Sequence, residues 1–100
     1  MTNLVVQDLN QWIKQAQMPA GKKLVLQAAV QLFAQDGYSA TSTVAIAQAA
    51  NLSQATIFKY FPTKNKLLDY ILEIIVNNLV PQYSQKVLQS IRLRKLTFLN

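Results

Sequence analysis

The chain has no cysteine and no histidine, only two glycines and three prolines, and just four acidic residues among 100. Each shortage excludes something. Without cysteine there is neither a disulfide framework nor a thiolate metal site. Without histidine the commonest general base and the commonest metal ligand are gone. Asp69 and Glu73 stand one helical turn apart, but no glycine-rich phosphate loop or second catalytic residue type accompanies them. No catalytic residue, metal site or cofactor follows from such a composition, and the chain reads as a non-enzyme. Long apolar runs are missing too. The longest candidate, residues 67–80, is broken by Asp69, Glu73, Asn77 and Asn78, well short of the ~18 apolar residues of a membrane span. The N-terminus lacks a basic stretch followed by an apolar run and a cleavage site. A cytoplasmic protein without membrane contact is expected.

What is present is apolar and basic. Hydrophobic residues make up 51% of the chain, and ten Lys and Arg against four acids leave a formal charge of +6. A chain of this length supports one small domain, and the charge favours an anionic partner. The few glycines and prolines divide it into segments of helical period. Residues 1–18 form an amphipathic arm, with Val5, Leu9, Trp12, Ile13 and Ala16 three or four apart. Residues 20–36 make a helix with a stripe of Leu24, Val25, Ala28, Ala29, Leu32 and Phe33, closed by Gly37 as C-terminal cap. Tyr38 folds back onto its last turn. A long helix spans 64–80, with Leu67, Leu68, Ile71, Leu72, Ile75, Val76 and Leu79 turned inward, and Pro81 ends or kinks it. The pattern resumes with Val87, Leu88 and Ile91 and is lost in the closing RLRKLTFLN.

The most specific stretch is IAQAANLSQATIFKYFPTK, residues 46–64. A short apolar helix, opened by one of Thr41, Ser42 and Thr43, ends at Asn51, a residue that tolerates a left-handed backbone. Ser53 caps the next helix. Two helices joined so tightly cross steeply, which is helix-turn-helix geometry. Ile57 and Phe61 share a face and anchor the second helix, leaving Gln54, Ala55 and Lys59 outward. Gln can pair with adenine, Lys can donate to guanine, and Ala admits a thymine methyl. The hydroxyl-bearing helix starts suit phosphate, and no acid lies between residues 37 and 68. Lys64 and Lys66 begin the long helix, where cations oppose the helix dipole unless an anion binds.

These residues resemble the TetR-type family of bacterial transcriptional repressors. The likeness covers about residues 20–80 and rests on AAVQLFAQDGYSATST, IAQAANLSQATIFKYF and KNKLL. It implies an all-α fold: a homeodomain-like three-helix head with its helix-turn-helix unit at 42–61 within a domain at 19–80, a long fourth helix, and residues 81–100 as the start of an effector and dimerisation domain cut short. By position, Gln54, Ala55 and Lys59 match base-contacting places. Ser42, Thr43, Ser53, Thr56, Tyr60 and Lys64 match phosphate-holding ones. Phe58 stands where tyrosine is frequent and lacks its hydroxyl, and Thr43 stands where an apolar residue is common. The implied partner is double-stranded DNA carrying an inverted-repeat operator, bound by a homodimer of a full-length form. The small-molecule effector of such regulators is not expected to bind within residues 1–100.

A different class fits part of the pattern. The apolar stripes of 3–18 and 82–100 also suit a helical protein-interaction module in which the basic charge is incidental. If residues after 81 lack their covering domain, Leu79, Val80, Tyr83, Val87, Leu88 and Ile91 form an apolar surface that seeks a partner, or the segment is poorly ordered.

Overall fold

The computed structural model describes residues 4–99, and all regular structure among them is helical. The order is α1 (Leu4–Gln15), α2 (Ala20–Asp36), α3 (Thr43–Ala50), α4 (Gln54–Tyr60), α5 (Lys64–Ile74), a π-turn (Ile75–Leu79) and α6 (Val80–Leu99). The all-α expectation and the tight α3–α4 pair both hold.

Helix α2 is the hub, packed by α1, α3, α4 and α5. A helix with neighbours on several sides does not keep a single apolar stripe. Val25, Leu26, Ala28, Ala29 and Val30 are all buried, so Leu26 and Val30 join the core from outside the predicted stripe. Leu24, expected inward, is 44% exposed. Gly37 ends the helix at φ 88°, its N–H bonded to the Phe33 carbonyl at 3.0 Å. That backbone favours glycine, although a side chain would find open space there. The Tyr38 ring does fold back, with its centroid 5.2 Å from that of Phe33.

The amphipathic arm is a helix. Helix α1 buries Leu9 and Ile13, and the Lys23 ammonium donates to the carbonyl of Lys14 at 2.8 Å, near the helix end where carbonyls lack intrahelical partners.

The largest departure lies between α5 and α6. Leu67, Ile71 and Ile74 are buried at steps of four and three, so an unbroken α-helix would next bury Asn78. The π-turn inserts one residue, closing with the Val80 N–H on the Ile75 carbonyl. Leu79 takes the buried place instead, and the Asn78 amide bonds back to the Ile74 carbonyl at 3.2 Å. Leu72 and Val76, predicted inward, are 48% and 60% exposed because they lie off this buried line. Pro81 neither ends nor breaks the rod. It sits at the start of α6, next to backbone already released from regular α pairing, where a missing N–H does least harm. The helical backbone then continues to Leu99, where the sequence pattern suggested a loss. No glycine or proline follows Pro81, and Gln, Lys, Arg and Leu are good helix formers.

Two members of the expected uncovered surface are in fact covered. Leu79 is buried, and the half-buried Tyr83 donates its hydroxyl to Asp8 Oδ2 at 2.7 Å. Helix α1 packs against the π-turn and screens both. Val80, Val87, Leu88 and Ile91 remain exposed.

Candidate nucleic-acid interface

Helix α3 starts where Ser42, in extended backbone, accepts the Ala45 N–H on its hydroxyl at 3.0 Å. Of the three hydroxyl residues Thr41–Thr43, Ser42 is therefore the cap. Thr41 does different work: it is buried, and its hydroxyl donates to the Gly37 carbonyl at 2.8 Å. Helix α3 ends in a Schellman motif. Asn51 lies at φ 57°, ψ 43°, its N–H on the Gln48 carbonyl at 3.1 Å, and the Leu52 N–H reaches back to Ala47 at 2.9 Å. Ser53 follows at once as the cap of α4, accepting from the Thr56 N–H at 3.1 Å, while the Ser53 and Thr56 hydroxyls meet at 2.9 Å. Only three residues, Asn51 to Ser53, separate the helices.

Helix α4 is held from beneath by Ile57 and Phe61, 1% and 4% exposed. The Phe61 ring meets Tyr70 edge-on at 5.3 Å, and the Lys22 ammonium lies 4.3 Å above Tyr70. This fixes the outward side of α4, where Gln54, Ala55, Phe58 and Lys59 are exposed together. Gln54 is not a loose side chain. Its amide Nε2 donates to the Thr43 hydroxyl at 3.1 Å, bridging the two helices of the unit. Thr43 thus contributes a polar anchor that an apolar residue there could not.

Of the phosphate-type positions, Ser42 and Ser53 are exposed, and Thr43, Thr56, Tyr60 and Lys64 are half-buried. The Tyr60 ring lies over α2 so closely that a Cβ at Gly21 would stand 3.3 Å from its hydroxyl oxygen. Lys64 is turned into the loop between α2 and α3. Its ammonium donates to the carbonyls of Tyr38 at 2.9 Å and Thr41 at 3.1 Å, and sits 4.1 Å above the Tyr38 ring. Two of its three N–H groups are thereby used. Tyr38 in turn donates its hydroxyl to the Asn65 side-chain oxygen. Sequence reading found the ring of Tyr38 but missed its bond to Asn65, because partners 27 residues apart leave no periodic signal. Thr63 caps α5 by accepting the Lys66 N–H at 3.1 Å.

The surface is thus a rigid helix face bearing amide, methyl, aromatic and ammonium groups, flanked by three hydroxyl-capped helix starts and free of acids from residue 37 to 68. Such a face can donate to base edges and phosphate oxygens without repelling them. Among the described residues, no group of acids forms a metal site and no helix is long and apolar enough to cross a membrane.

Residues 25–71 match the family of bacterial regulatory proteins described as the tetR family. They form a tetR-family N-terminal DNA-binding region. It runs from the middle of α2 to Ile71 in α5 and contains the whole helix-turn-helix unit. The chain is 48% identical over 50 residues to YvkB of Bacillus subtilis (strain 168), an uncharacterized HTH-type transcriptional regulator, covering 50% of this chain and 26% of that protein. It is 38% identical over 58 residues to YhgD of the same organism, also an uncharacterized HTH-type transcriptional regulator, covering 58% and 30%. It is 36% identical over 63 residues to the HTH-type transcriptional regulator LuxR of Vibrio harveyi, covering 63% and 29%. These similarities span less than a third of each relative's length. No solved structure matches the chain significantly. The tetR region contains the acid-free stretch of residues 37–68, while α1 and α6 lie outside it.

Proposed function

We propose that this chain is a sequence-specific, double-stranded-DNA-binding regulator of transcription in the cytoplasm, acting as a repressor of the tetR type and not as an enzyme. In this reading α4 lies in a major groove. Gln54, Ala55 and Lys59 read base edges, with Phe58 packing alongside. Ser42, Thr43, Ser53, Thr56 and Tyr60 hold phosphates, and Lys64 offers its remaining N–H to one. The observation that carries the reading is the outward α4 face, where Gln54, Ala55, Phe58 and Lys59 are exposed together over an anchor of Ile57 and Phe61. The relatives' names as transcriptional regulators support the regulatory role.

A single head covers half a site, so a homodimer reading an inverted repeat fits the proposal, and two linked heads bind far better than one. The deciding experiment is selection of bound sequences from random duplex DNA at two salt concentrations. Recovery of one enriched half-site, or its inverted repeat, supports the proposal. Equal recovery of all sequences, or no binding at low salt, overturns it.

A further inference from the structure

Of the α6 side chains described, residues 80–93, Tyr83 alone is not exposed. Its hydroxyl donates to Asp8 Oδ2 at 2.7 Å, across 75 residues of sequence. The buried side of α6 therefore reaches the rest of the fold through α1. Helix α1 is itself fastened to the head. Leu9 and Ile13 are buried, Lys23 of α2 donates to the Lys14 carbonyl at 2.8 Å, and the helix packs against both α2 and the π-turn. It thus spans from the hub of the head to the first turn of α6.

The place where α6 needs holding is equally specific. Regular α pairing lapses between Ile75 and Leu79, and a rod bends most readily where that ladder is interrupted. The docked position of α1 also carries a cost. Asn10 Oδ1 is buried and meets no donor among the described residues, a penalty that disappears once the helix lifts into water. Both α1 and α6 lie outside the matched residues 25–71, so their link is separate from the helix-turn-helix unit.

We propose that α1 is a strap that sets the heading of α6 relative to the head. Docked, it holds Tyr83 through Asp8 and covers the π-turn, and α6 runs on in one direction. Released, it leaves the head folded about α2 and lets α6 swing about the π-turn. The strap uses no residue of the α4 face, so it stands independently of the DNA-binding reading. Where the head sits on DNA, the strap fixes the direction in which α6 leaves it.

The cysteine-free sequence lets spin labels be placed at chosen sites of the full chain. One pair, Gln31→Cys with Gln89→Cys, reports from α2 to α6. The other, Gln31→Cys with Gln48→Cys, lies within the head, and all three sites are exposed. With the labelled chain diluted in unlabelled chain, pulsed electron resonance reads distances within one molecule. With no other substitution, each pair should give one narrow distance distribution. Leu9→Ala with Tyr83→Phe should widen the α2–α6 distribution roughly twofold while the head pair stays narrow. Asp8→Ala and Tyr83→Phe should act alike, and combining them should add little, since each removes the same bond. The proposal falls if the α2–α6 distribution is broad from the start, or stays narrow in the Leu9→Ala, Tyr83→Phe chain. It also falls if the effects of Asp8→Ala and Tyr83→Phe simply add. Widening of both pairs together overturns it as well, because α1 would then be part of the head's core and not a strap.

Discussion

Lys64 and Tyr38 are joined twice: the ammonium lies 4.1 Å above the phenol ring and donates to the same residue's carbonyl at 2.9 Å. The cation that opens α5 thus braces the loop leading into α3, and part of the dipole penalty for a cation at a helix start is offset by carbonyl oxygens. Lys64→Met should cost about 1 kcal/mol in chemical denaturation, from the lost charged hydrogen bonds and ring contact. It should also weaken binding to all duplex sequences alike while leaving their ranking intact. A changed base preference in that variant would contradict the role assigned here.

Base discrimination should reside elsewhere. Gln54→Ala and Lys59→Ala should each alter the preferred base at one position of a selected site, with a discrimination loss of about 1–3 kcal/mol. Thr43→Val removes the acceptor that holds the Gln54 amide. It should broaden the preference at the Gln54 position without abolishing binding. Competition binding with single-base variants of the selected site distinguishes these outcomes. Unchanged preferences in all three variants would remove α4 as the reading element.

Phosphate contacts should appear as salt dependence. Each phosphate neutralised by a lysine contributes about −0.9 to the log–log slope of affinity against salt, so Lys64 alone implies about −0.9 per head and the exposed Lys66 beside it would add a similar amount. Replacing a phosphate-contacting cation should flatten that slope by about one contact's share. Binding that scarcely changes between low and high salt would favour a protein-interaction role for the basic surface instead.

The local devices of the α3–α4 unit were readable because each is a short-range rule: an asparagine that accepts a left-handed backbone, a serine before a helix, two apolar residues four apart. Asn51, Ser53, Ile57 and Phe61 all occupy the places those rules give. Helix α2 was read less well. Leu24 is exposed and Leu26 buried because the inward side of a central helix depends on where four neighbours pack, which its own spacing does not encode. The Gln54–Thr43 and Lys64–Tyr38 contacts join residues 11 and 26 apart, and only the assembled fold brings them together. The π-turn was illegible for a similar reason. Placing Leu79 in the core in preference to Asn78 is a tertiary choice, and Leu72 and Val76 are exposed because they lie off the line of Leu67, Ile71 and Ile74 that the core selects.

The anchor beneath α4 should be far more sensitive than its cap. Ile57→Ala should cost about 2–5 kcal/mol, since the side chain is almost wholly enclosed and its removal leaves a cavity. Ser53→Ala should cost about 1 kcal/mol, the usual value for losing a capping hydroxyl. Thermal or urea unfolding of the two variants checks the order, and a Ser53→Ala chain less stable than Ile57→Ala would show that the anchor has been misassigned.

Tyr83 should titrate later than an ordinary tyrosine. The hydrogen bond to Asp8 raises its pKa above the usual 10.0, with further contributions from burial and from the carboxylate's charge. The protonated phenol is the form favoured by folding. Its stabilising share is therefore complete below pH 10 and disappears as pH climbs through the raised value. Ultraviolet titration should show one phenolate appearing at higher pH than in an Asp8→Ala chain, and identical curves would argue against the contact.

The turn at Ile75–Leu79 also decides how α6 is aimed. Wound as plain α-helix with no residue removed, the same segment would swing everything beyond it by about 100° around the helix axis. Tyr83 would move out of reach of Asp8, and the exposed valines downstream would point in a new direction. The width of that one turn therefore sets the heading of α6.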